Sequence, residues 1–202
     1  MMPVWLMGGW SLRNRIMREA MKEMNEHGVR FTMDDLARRL GVSKRTLYEN
    51  FSSKEEIIGF ILQNALAEIK EKREAILKDN QLDAREKFKQ IMAVRSSLCA
   101  ESTDRVGIEI KKCMPEQWKK VEADIEEVWE VLENLIHEGE ENGSFRPVFF
   151  PAVRVMFKGA FYEFANHNFL LQHKVTMKEM IAFMTDILLF GLVPKHSRDQ
   201  KS

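Results

Sequence analysis

The chain has 202 residues with 31 basic and 31 acidic side chains, so it carries no net charge, and 45% of its residues are hydrophobic, ample for a buried core. No stretch approaches the about 20 continuous apolar residues of a membrane span, and the two cysteines form no CxxC pair and no zinc set. These features argue against a membrane protein or a zinc protein and predict a cytoplasmic globular protein without a cofactor.

The first ten residues, Met1 to Trp10, are apolar but short, and they lack the basic start of a signal peptide. They fit a flexible arm, a packing segment or a start codon assigned too early, and the sequence does not choose between these. In each case no membrane contact is expected.

The most informative stretch runs from Thr32 to Ile57 and reads as two short helices joined by a tight turn, with a third helix starting immediately after. Thr32 and Asp35 can form a capping box at the start of the first helix. Gly41 can end that helix because glycine tolerates the left-handed conformation that a sharp stop needs. Ser43 is then a good N-cap for the second helix.

The second short helix carries cations and hydroxyls on one side. Leu47 and Phe51 are four residues apart and can face inward. Lys44, Arg45 and Thr46 are then left pointing outward. Cations and hydroxyls on a small rigid helix are what reading a DNA groove requires, so the stretch predicts a helix-turn-helix module.

This stretch resembles the DNA-binding domain of the tetracycline-repressor (TetR) family of bacterial transcription regulators, over about a quarter of the chain. The block GVSKRTLYENFSSKEEI, in register with a helix from about Leu12 to Glu26 that Gly28 closes, makes the resemblance specific. Arg45 departs from the family, in which a small residue is common at this position, and it adds a cation at the groove. The matching residues are Thr32, Leu36, Ala37, Gly41, Val42, Ser43, Thr46, Leu47, Tyr48, Phe51, Lys54 and Glu55.

The resemblance implies an all-α fold with two domains. Residues 1–53 would form an N-terminal three-helix helix-turn-helix DNA-binding domain, and residues 54–202 a C-terminal helical bundle for effector binding and dimerisation. It also implies a sequence-specific regulator, a repressor that binds double-stranded DNA at a palindromic operator. A small, largely apolar effector would shift the long helix that begins at Lys54 and release the operator. An activator with this architecture stays open.

Charge is distributed unevenly along the chain. Residues 11–54 hold ten Lys or Arg and six Asp or Glu, an excess of four positive charges, and the remainder has an equal excess of negative charge. A basic N-terminal segment followed by an acidic remainder is the charge asymmetry expected of a DNA-binding module attached to a regulatory domain. Chance scatter of surface charge is the alternative.

Seven residues are predicted to contact DNA. Lys44 and Arg45 are the expected base-edge or phosphate partners at the N-terminal end of the recognition helix. A partly buried packing role for Tyr48 and a plain surface charge at Lys54 stay open as alternatives. The residues expected to grip phosphates are Thr32, Ser43, Thr46, Tyr48 and Lys54.

Beyond residue 54 the chain reads as successive helices without a repeat or a low-complexity linker. The fourth of these has a narrow apolar stripe and nine acidic residues, which predicts a solvated face that would repel phosphate. The predicted helices run over about Lys54–Leu77, Asp83–Leu98, Arg105–Lys112, Glu116–Glu140, Pro151–Leu171 and Met177–Leu192.

The last two predicted helices are apolar over more than one face. A helix that is apolar on two sides needs two packing partners, one inside the subunit and one elsewhere. Together they predict a homodimer built as a four-helix bundle, with two helices from each subunit. The alternative is that both helices fill the core of a monomer.

An apolar effector pocket is predicted in the C-terminal domain, although ordinary core packing explains each of its residues as well. The effector is unidentified, and a protein effector or none at all stays open. The candidate lining residues are Phe88, Met92, Trp118, Trp129, Phe157, Phe161 and Phe164.

An enzyme is not predicted. No histidine has a glutamate three residues before it, as a di-iron bundle would need, and GxGxxG, P-loop, GxSxG and HExxH motifs are absent. No catalytic residue and no metal site are therefore expected. The remaining alternative is a helical protein-interaction module without specific DNA binding, against which the outward Lys44 and Arg45 argue.

Overall fold

The structure is a computed structural model that describes residues 11–99, 104–166 and 169–192. Within these ranges the chain forms α-helices and two short 3-10 helices, Gly28–Arg30 and Ser97–Cys99, and no strand, so the all-α prediction is confirmed. The predictions for Met1 to Trp10 lie outside the described residues. The α-helices are α1 (Leu12–His27), α2 (Met33–Leu40), α3 (Lys44–Asn50), α4 (Lys54–Lys78), α5 (Ala84–Ala93), α6 (Asp104–Cys113), α7 (Pro115–Glu141), α8 (Phe150–Asn166), α9 (Phe169–His173) and α10 (Met177–Leu192).

The described residues form two compact units. The first comprises residues up to Lys70 together with Arg95–Asp124, and the second comprises Glu71–Val94 and the residues from Ile125 onward. Helices α4 and α7 each contribute residues to both units. None of the described helices is long and apolar enough to cross a membrane. The domain boundary expected between residues 53 and 54 stays a prediction.

The core of the first unit forms from apolar side chains that repeat every three or four residues along α1, α2 and α4. Ile16 and Ala20 of α1 and Leu36 of α2 have no exposed surface, and Ile57 and Ile58 at the start of α4 are equally buried. Each fully buried aliphatic side chain of the larger kind contributes about 1.5–3 kcal/mol relative to exposure. This shared cluster, to which α3 and α6 also contribute, therefore fixes α2 and α3 against α1.

The second unit has its own apolar cluster around Trp129 of α7. The Trp129 ring lies 5.6 Å from the Phe157 ring, edge to face, and 6.3 Å from the Phe150 ring. Phe88 of α5 and Leu132 of α7 are fully buried in the same cluster. Ring contacts of this kind add roughly 0.5–1.5 kcal/mol each beyond the buried area, so α5, α7 and α8 share one core.

The prediction of a helix from Asp83 to Leu98 is wrong at its C-terminal end, because α5 stops at Ala93. The buried carboxylate of Glu68 accepts hydrogen bonds from the Ser96 hydroxyl at 2.6 Å and from the Ser97 backbone N–H at 2.9 Å. Charge-assisted bonds of this kind are strong, and they keep Ser96 and Ser97 from continuing the α-helix.

The helix predicted from Pro151 to Leu171 corresponds to α8, up to Asn166, and to α9, from Phe169 onward, while residues 167 and 168 lie outside the described residues. The centres of the Phe164 and Phe169 rings lie 5.1 Å apart. Whether one helix spans the whole predicted range stays a prediction.

Two glycines with positive φ stand at helix ends of the first unit and differ in their surroundings. Gly41 has φ 67° and ψ 31°, and a Cβ there would meet no atom within 4 Å. Gly28 has φ 73° and ψ −168°, a conformation essentially reserved for glycine. A Cβ at Gly28 would lie 2.2 Å from Oε2 of Glu109, which accepts a 2.9 Å hydrogen bond from the Val29 N–H and is held there.

We expect Gly41→Ala to lower the free energy of unfolding by about 1–2 kcal/mol, the cost of a left-handed backbone alone. Gly28→Ala should lower it by about 3 kcal/mol or more, because a rarer backbone conformation and the collision with Glu109 add together. Urea unfolding of both variants, followed by circular dichroism, measures the difference. Equal losses would contradict a steric role for Glu109.

Candidate nucleic-acid interface

The predicted capping signals of the helix-turn-helix are confirmed. The Thr32 hydroxyl accepts a hydrogen bond from the Asp35 N–H at 3.2 Å, and the Asp35 carboxylate accepts one from the Thr32 N–H at 3.1 Å. The Thr32 hydroxyl also donates to the Asp35 carboxylate at 2.6 Å, and this bond together with the one from the Thr32 N–H lowers the pKa of Asp35. Gly41 adopts the left-handed conformation that ends α2, and the Ser43 hydroxyl accepts from the Thr46 N–H at 3.0 Å to start α3.

Burial of one side of α3 determines which side faces outward. Leu47 has no exposed surface, and the ring of Phe51, which follows the helix, is 1% exposed. The Lys44 and Arg45 side chains are 64% and 89% exposed, and Tyr48 is 50% exposed. The outward surface of α3 therefore presents Lys44 and Arg45, as the spacing predicts, and also the Tyr48 phenol, while Thr46 is half-buried.

Both exposed cations are paired with carboxylates of the same surface. The Lys44 ammonium donates to Asp34 of α2, and the Arg45 guanidinium donates to Glu49 of α3 at 2.9 Å. The Ser43 and Thr46 hydroxyls are hydrogen-bonded to each other at 2.8 Å. A DNA strand would have to replace part of this local bonding in order to bind.

A second group of predicted residues meets beside α3. Thr32, Tyr48 and Lys54 line an open concavity of about 320 Å³, together with Ser52 and Ser53. Hydroxyls and an ammonium around a shallow depression are suited to a phosphate oxygen.

The ammonium of Lys54 also has a structural partner. It donates to the Val29 carbonyl at 2.9 Å and lies 5.7 Å from the centre of the Phe31 ring. An ammonium has three donors, so one bond to Val29 leaves others for a phosphate. The structure thus places Thr32, Tyr48 and Lys54 around one concavity, and Lys44 and Arg45, at the start of α3, are not among the residues that line it.

Residues 16–59 match the family model described as bacterial regulatory proteins, tetR family. Residues 16–59 thus form a DNA-binding domain of the TetR type. The chain is 28% identical over 185 residues to the HTH-type transcriptional regulator YvaF of Bacillus subtilis (strain 168), covering 92% of this chain and 97% of that protein.

Solved structures agree with this assignment. The TetR family transcriptional regulator PfmR from Thermus thermophilus is 26% identical, with a TM-score of 0.64 over 92% of this chain and all of that one. FadR from Bacillus subtilis in complex with stearoyl-CoA shares the fold at 19% identity and a TM-score of 0.61, over 88% of this chain and 98% of that one. The chain is accordingly a DNA-binding transcriptional regulator.

One residue that fixes the module escaped the sequence analysis. The guanidinium of Arg39 in α2 donates to three glutamates of α1: Glu19 at 3.0 Å, Glu23 at 3.1 Å and Glu26 at 2.7 Å. These glutamates follow one another at intervals of four and three residues, which places them on one helix face. An acidic face on α1 opposite a basic position on α2 is the signal that could have revealed this group of ion pairs. The contacts of Arg39 with Glu19, Glu23 and Glu26 are called the clamp below.

Electrostatics support the clamp. Hydrogen bonds to the three glutamates raise the pKa of Arg39, and the bond to Glu26 has the largest effect. Hydrogen bonding to Lys22 and to Arg39 lowers the pKa of Glu19, and bonding to Arg39 lowers that of Glu26. Charged partners on both helices therefore favour each other's ionised forms and join α2 to α1.

We expect Arg39→Ala to lower the free energy of unfolding at neutral pH by on the order of 2 kcal/mol, because the buried Glu23 loses a charged donor. Since the pKa values of Glu19 and Glu26 are lowered in the folded state, the part of this stabilisation that comes from their pairing with Arg39 is present above the ordinary glutamate pKa of 4.5 and is lost as the pH falls below it. Unfolding midpoints of the two proteins, measured from pH 7 to pH 3, should therefore converge in acid.

Arg38→Ala is the matched control for this prediction. Arg38 is the preceding residue of α2, is 79% exposed, and pairs with the Asp35 carboxylate at 3.4 Å. Exposed pairs of this kind contribute little, so stability should change little at any pH. A loss in Arg39→Ala that persists unchanged at pH 3 would contradict the electrostatic origin of the clamp.

The candidate effector residues do not form one set. Phe88, Met92, Trp129 and Phe157 are buried in the cluster of the second unit, and Phe161 packs against it. Phe164 contacts Phe169 as described above. Trp118 instead packs against the cluster of the first unit. The effector pocket stays a prediction.

Proposed function

We propose that this chain is a cytoplasmic, non-catalytic repressor that binds a palindromic operator as a homodimer and leaves it when a small, largely apolar effector binds. The observation that carries the DNA-binding part is the exposed pair of cations on α3, whose opposite side is anchored by Leu47 and Phe51. The cations are thus held on a rigid helix of the kind that enters a major groove.

The homodimer is supported by an apolar surface on α8 and α10 that stays exposed among the described residues of the protomer. Large exposed apolar patches mark interaction sites. A second copy is the proposed occupant, because two helix-turn-helix modules related by a twofold axis read a palindrome with recognition helices about 34–36 Å apart. The exposed residues are Val155, Met156 and Tyr162 on α8, and Phe183, Ile187 and Phe190 on α10.

Release by an effector is supported by helix α4. Its first half packs in the core of the first unit through Ile57, Ile58 and Ile61, and its last turns, Ile76 and Leu77, pack against the cluster of the second unit. A ligand that changes the packing of the second cluster could thus alter the position of α4 at the DNA-binding helices. FadR, which shares the fold, binds stearoyl-CoA, so a long-chain acyl group is the ligand class that we propose to try first.

The test is selection of bound sequences from a random duplex pool by the full chain at two salt concentrations. A palindromic motif whose affinity falls steeply with salt is the expected result. Stearoyl-CoA titrated into that complex would then test release. Recovery of no motif, with weak binding only, would reject the proposal in favour of a protein-interaction module.

A further inference from the structure

Every cation between Thr32 and Lys54 donates to a group of the same protein. On the outward surface of α3, Lys44 is paired with Asp34, and Arg45 is paired with Glu49 at 2.9 Å. A surface that must meet a polyanion thus presents each cation beside a carboxylate. The other contacts are Arg38 with Asp35, Arg39 with Glu19, Glu23 and Glu26, and Lys54 with the Val29 carbonyl.

These contacts fall into two kinds. Arg39 is 24% exposed and has three carboxylate partners, so it is fixed in the fold. The pairs of Lys44 with Asp34 and of Arg45 with Glu49 are exposed on both sides. Exposed ion pairs are weak, and a competing anion can exchange for one partner. The ion pairs of the two cations on the outward surface of α3 are therefore ones that a competing anion can replace.

A carboxylate that can be displaced from its cation changes the affinity for operator DNA and the affinity for non-operator DNA by different amounts. Non-specific binding depends almost wholly on neutralising phosphates, and a carboxylate beside the cation both competes with phosphate and repels it. At a cognate base pair, an arginine can bind guanine O6 and N7 in a bidentate manner, which compensates for the lost ion pair. An unfavourable element that acts against the wrong partner raises the specificity ratio.

We propose that Asp34 and Glu49 are specificity-determining residues of the DNA interface, which hold Lys44 and Arg45 in intramolecular ion pairs and thereby suppress binding to non-operator DNA. This inference rests on the proposed DNA-binding function and adds two acidic residues to it. Glu49 is the better residue to test, because Asp34 lies in the first turn of α2 and also stabilises the start of that helix.

The experiment compares the wild type with Glu49→Gln, which keeps the size of the side chain and removes its charge. Affinities are measured for the selected operator and for a scrambled duplex of equal length, at two salt concentrations. We expect affinity for the scrambled duplex to rise about three- to tenfold at low salt. Affinity for the operator should rise less, so the ratio of the two affinities falls.

Glu74→Gln is the matched control. Glu74 pairs with Lys78 at 3.3 Å as an exposed i, i+4 pair, like Arg45 with Glu49, but on the C-terminal part of α4. It changes the net charge equally, so an unchanged affinity ratio in Glu74→Gln supports a local effect. An equal fall of the ratio in Glu49→Gln and Glu74→Gln would overturn the proposal.

A double-mutant cycle with Arg45→Ala tests whether Glu49 acts through Arg45. The effect of Glu49→Gln on the scrambled duplex should largely vanish when Arg45 is absent, and persistence at full size would overturn the proposal. A loss of operator affinity in Glu49→Gln with relaxed base preference at one operator position would also overturn it, because Glu49 itself would then read a cytosine.

A wild type that selects no motif would reject the proposed function and this inference together. An operator-binding wild type with an unchanged affinity ratio in Glu49→Gln would reject this inference alone.

Discussion

Replacing Ile187 by glutamate is expected to convert the proposed dimer into a monomer and to weaken binding to the proposed palindromic operator about a hundredfold or more. The Ile187 side chain is 73% exposed in the protomer, so the substitution should cost the fold little. In the proposed interface between α8, α10 and a second copy, the carboxylate would instead be buried without a partner. A monomer reaches one half-site only and therefore loses most of the binding energy.

Sedimentation equilibrium over a range of protein concentrations measures the mass, and a gel-shift titration with the operator measures the affinity. Ala182→Glu is the matched control, because Ala182 is exposed on α10 about 140° around the helix from Ile187 and gains the same charge. Ala182→Glu should stay dimeric. A dimeric Ile187→Glu protein would contradict the proposed interface.

The helix-turn-helix could be predicted from the sequence because its signals are local. The capping box of Thr32 and Asp35, the left-handed Gly41 and the N-cap Ser43 each act within three or four residues, and the structure has all of them. The inward position of Leu47 follows from helical periodicity. Local chemistry of this kind does not depend on how the rest of the chain folds.

Contacts between distant segments could not be predicted in the same way. Glu68 ends α5 through Ser96, 28 residues away, and Arg39 binds Glu19, 20 residues away. Which of many carboxylates meets which donor depends on the tertiary packing of the helices. The pairing of Lys44 with Asp34 across the turn belongs to the same class, since composition predicts an exposed cation but not its partner.

The candidate effector residues show a second limit of prediction from the sequence. An aromatic side chain in an apolar stripe predicts burial, and Phe88, Trp129 and Phe157 are buried. Periodicity predicts which face of a helix is buried but not in which of two cores each part of the helix packs. Helix α7 packs in both cores: Trp118 packs with the first unit and Trp129 with the second. Long helices shared between units are therefore poor guides to a common pocket.

Phe51→Ala is expected to lower the free energy of unfolding of the first unit by about 3–5 kcal/mol and to abolish operator binding. The Phe51 ring is 1% exposed, lies 5.5 Å from the Phe60 ring of α4 in an edge-to-face contact, and has the Arg13 guanidinium of α1 at 4.1 Å from its centre. One side chain thus joins the end of α3 to both α1 and α4. Truncation removes the ring contacts and leaves a cavity at the base of the recognition helix.

Urea unfolding and hydrogen exchange measure this loss, with Phe51→Leu and Phe149→Ala as controls. Phe51→Leu restores most of the buried volume and should lose clearly less. Phe149 is 75% exposed, so its truncation should leave the first unit unchanged. Because a domain has only about 5–15 kcal/mol of stability, a loss of this size would let α3 open at a measurable population. A Phe51→Ala protein with wild-type stability but no operator affinity would show instead that the ring acts at the DNA and not in the core.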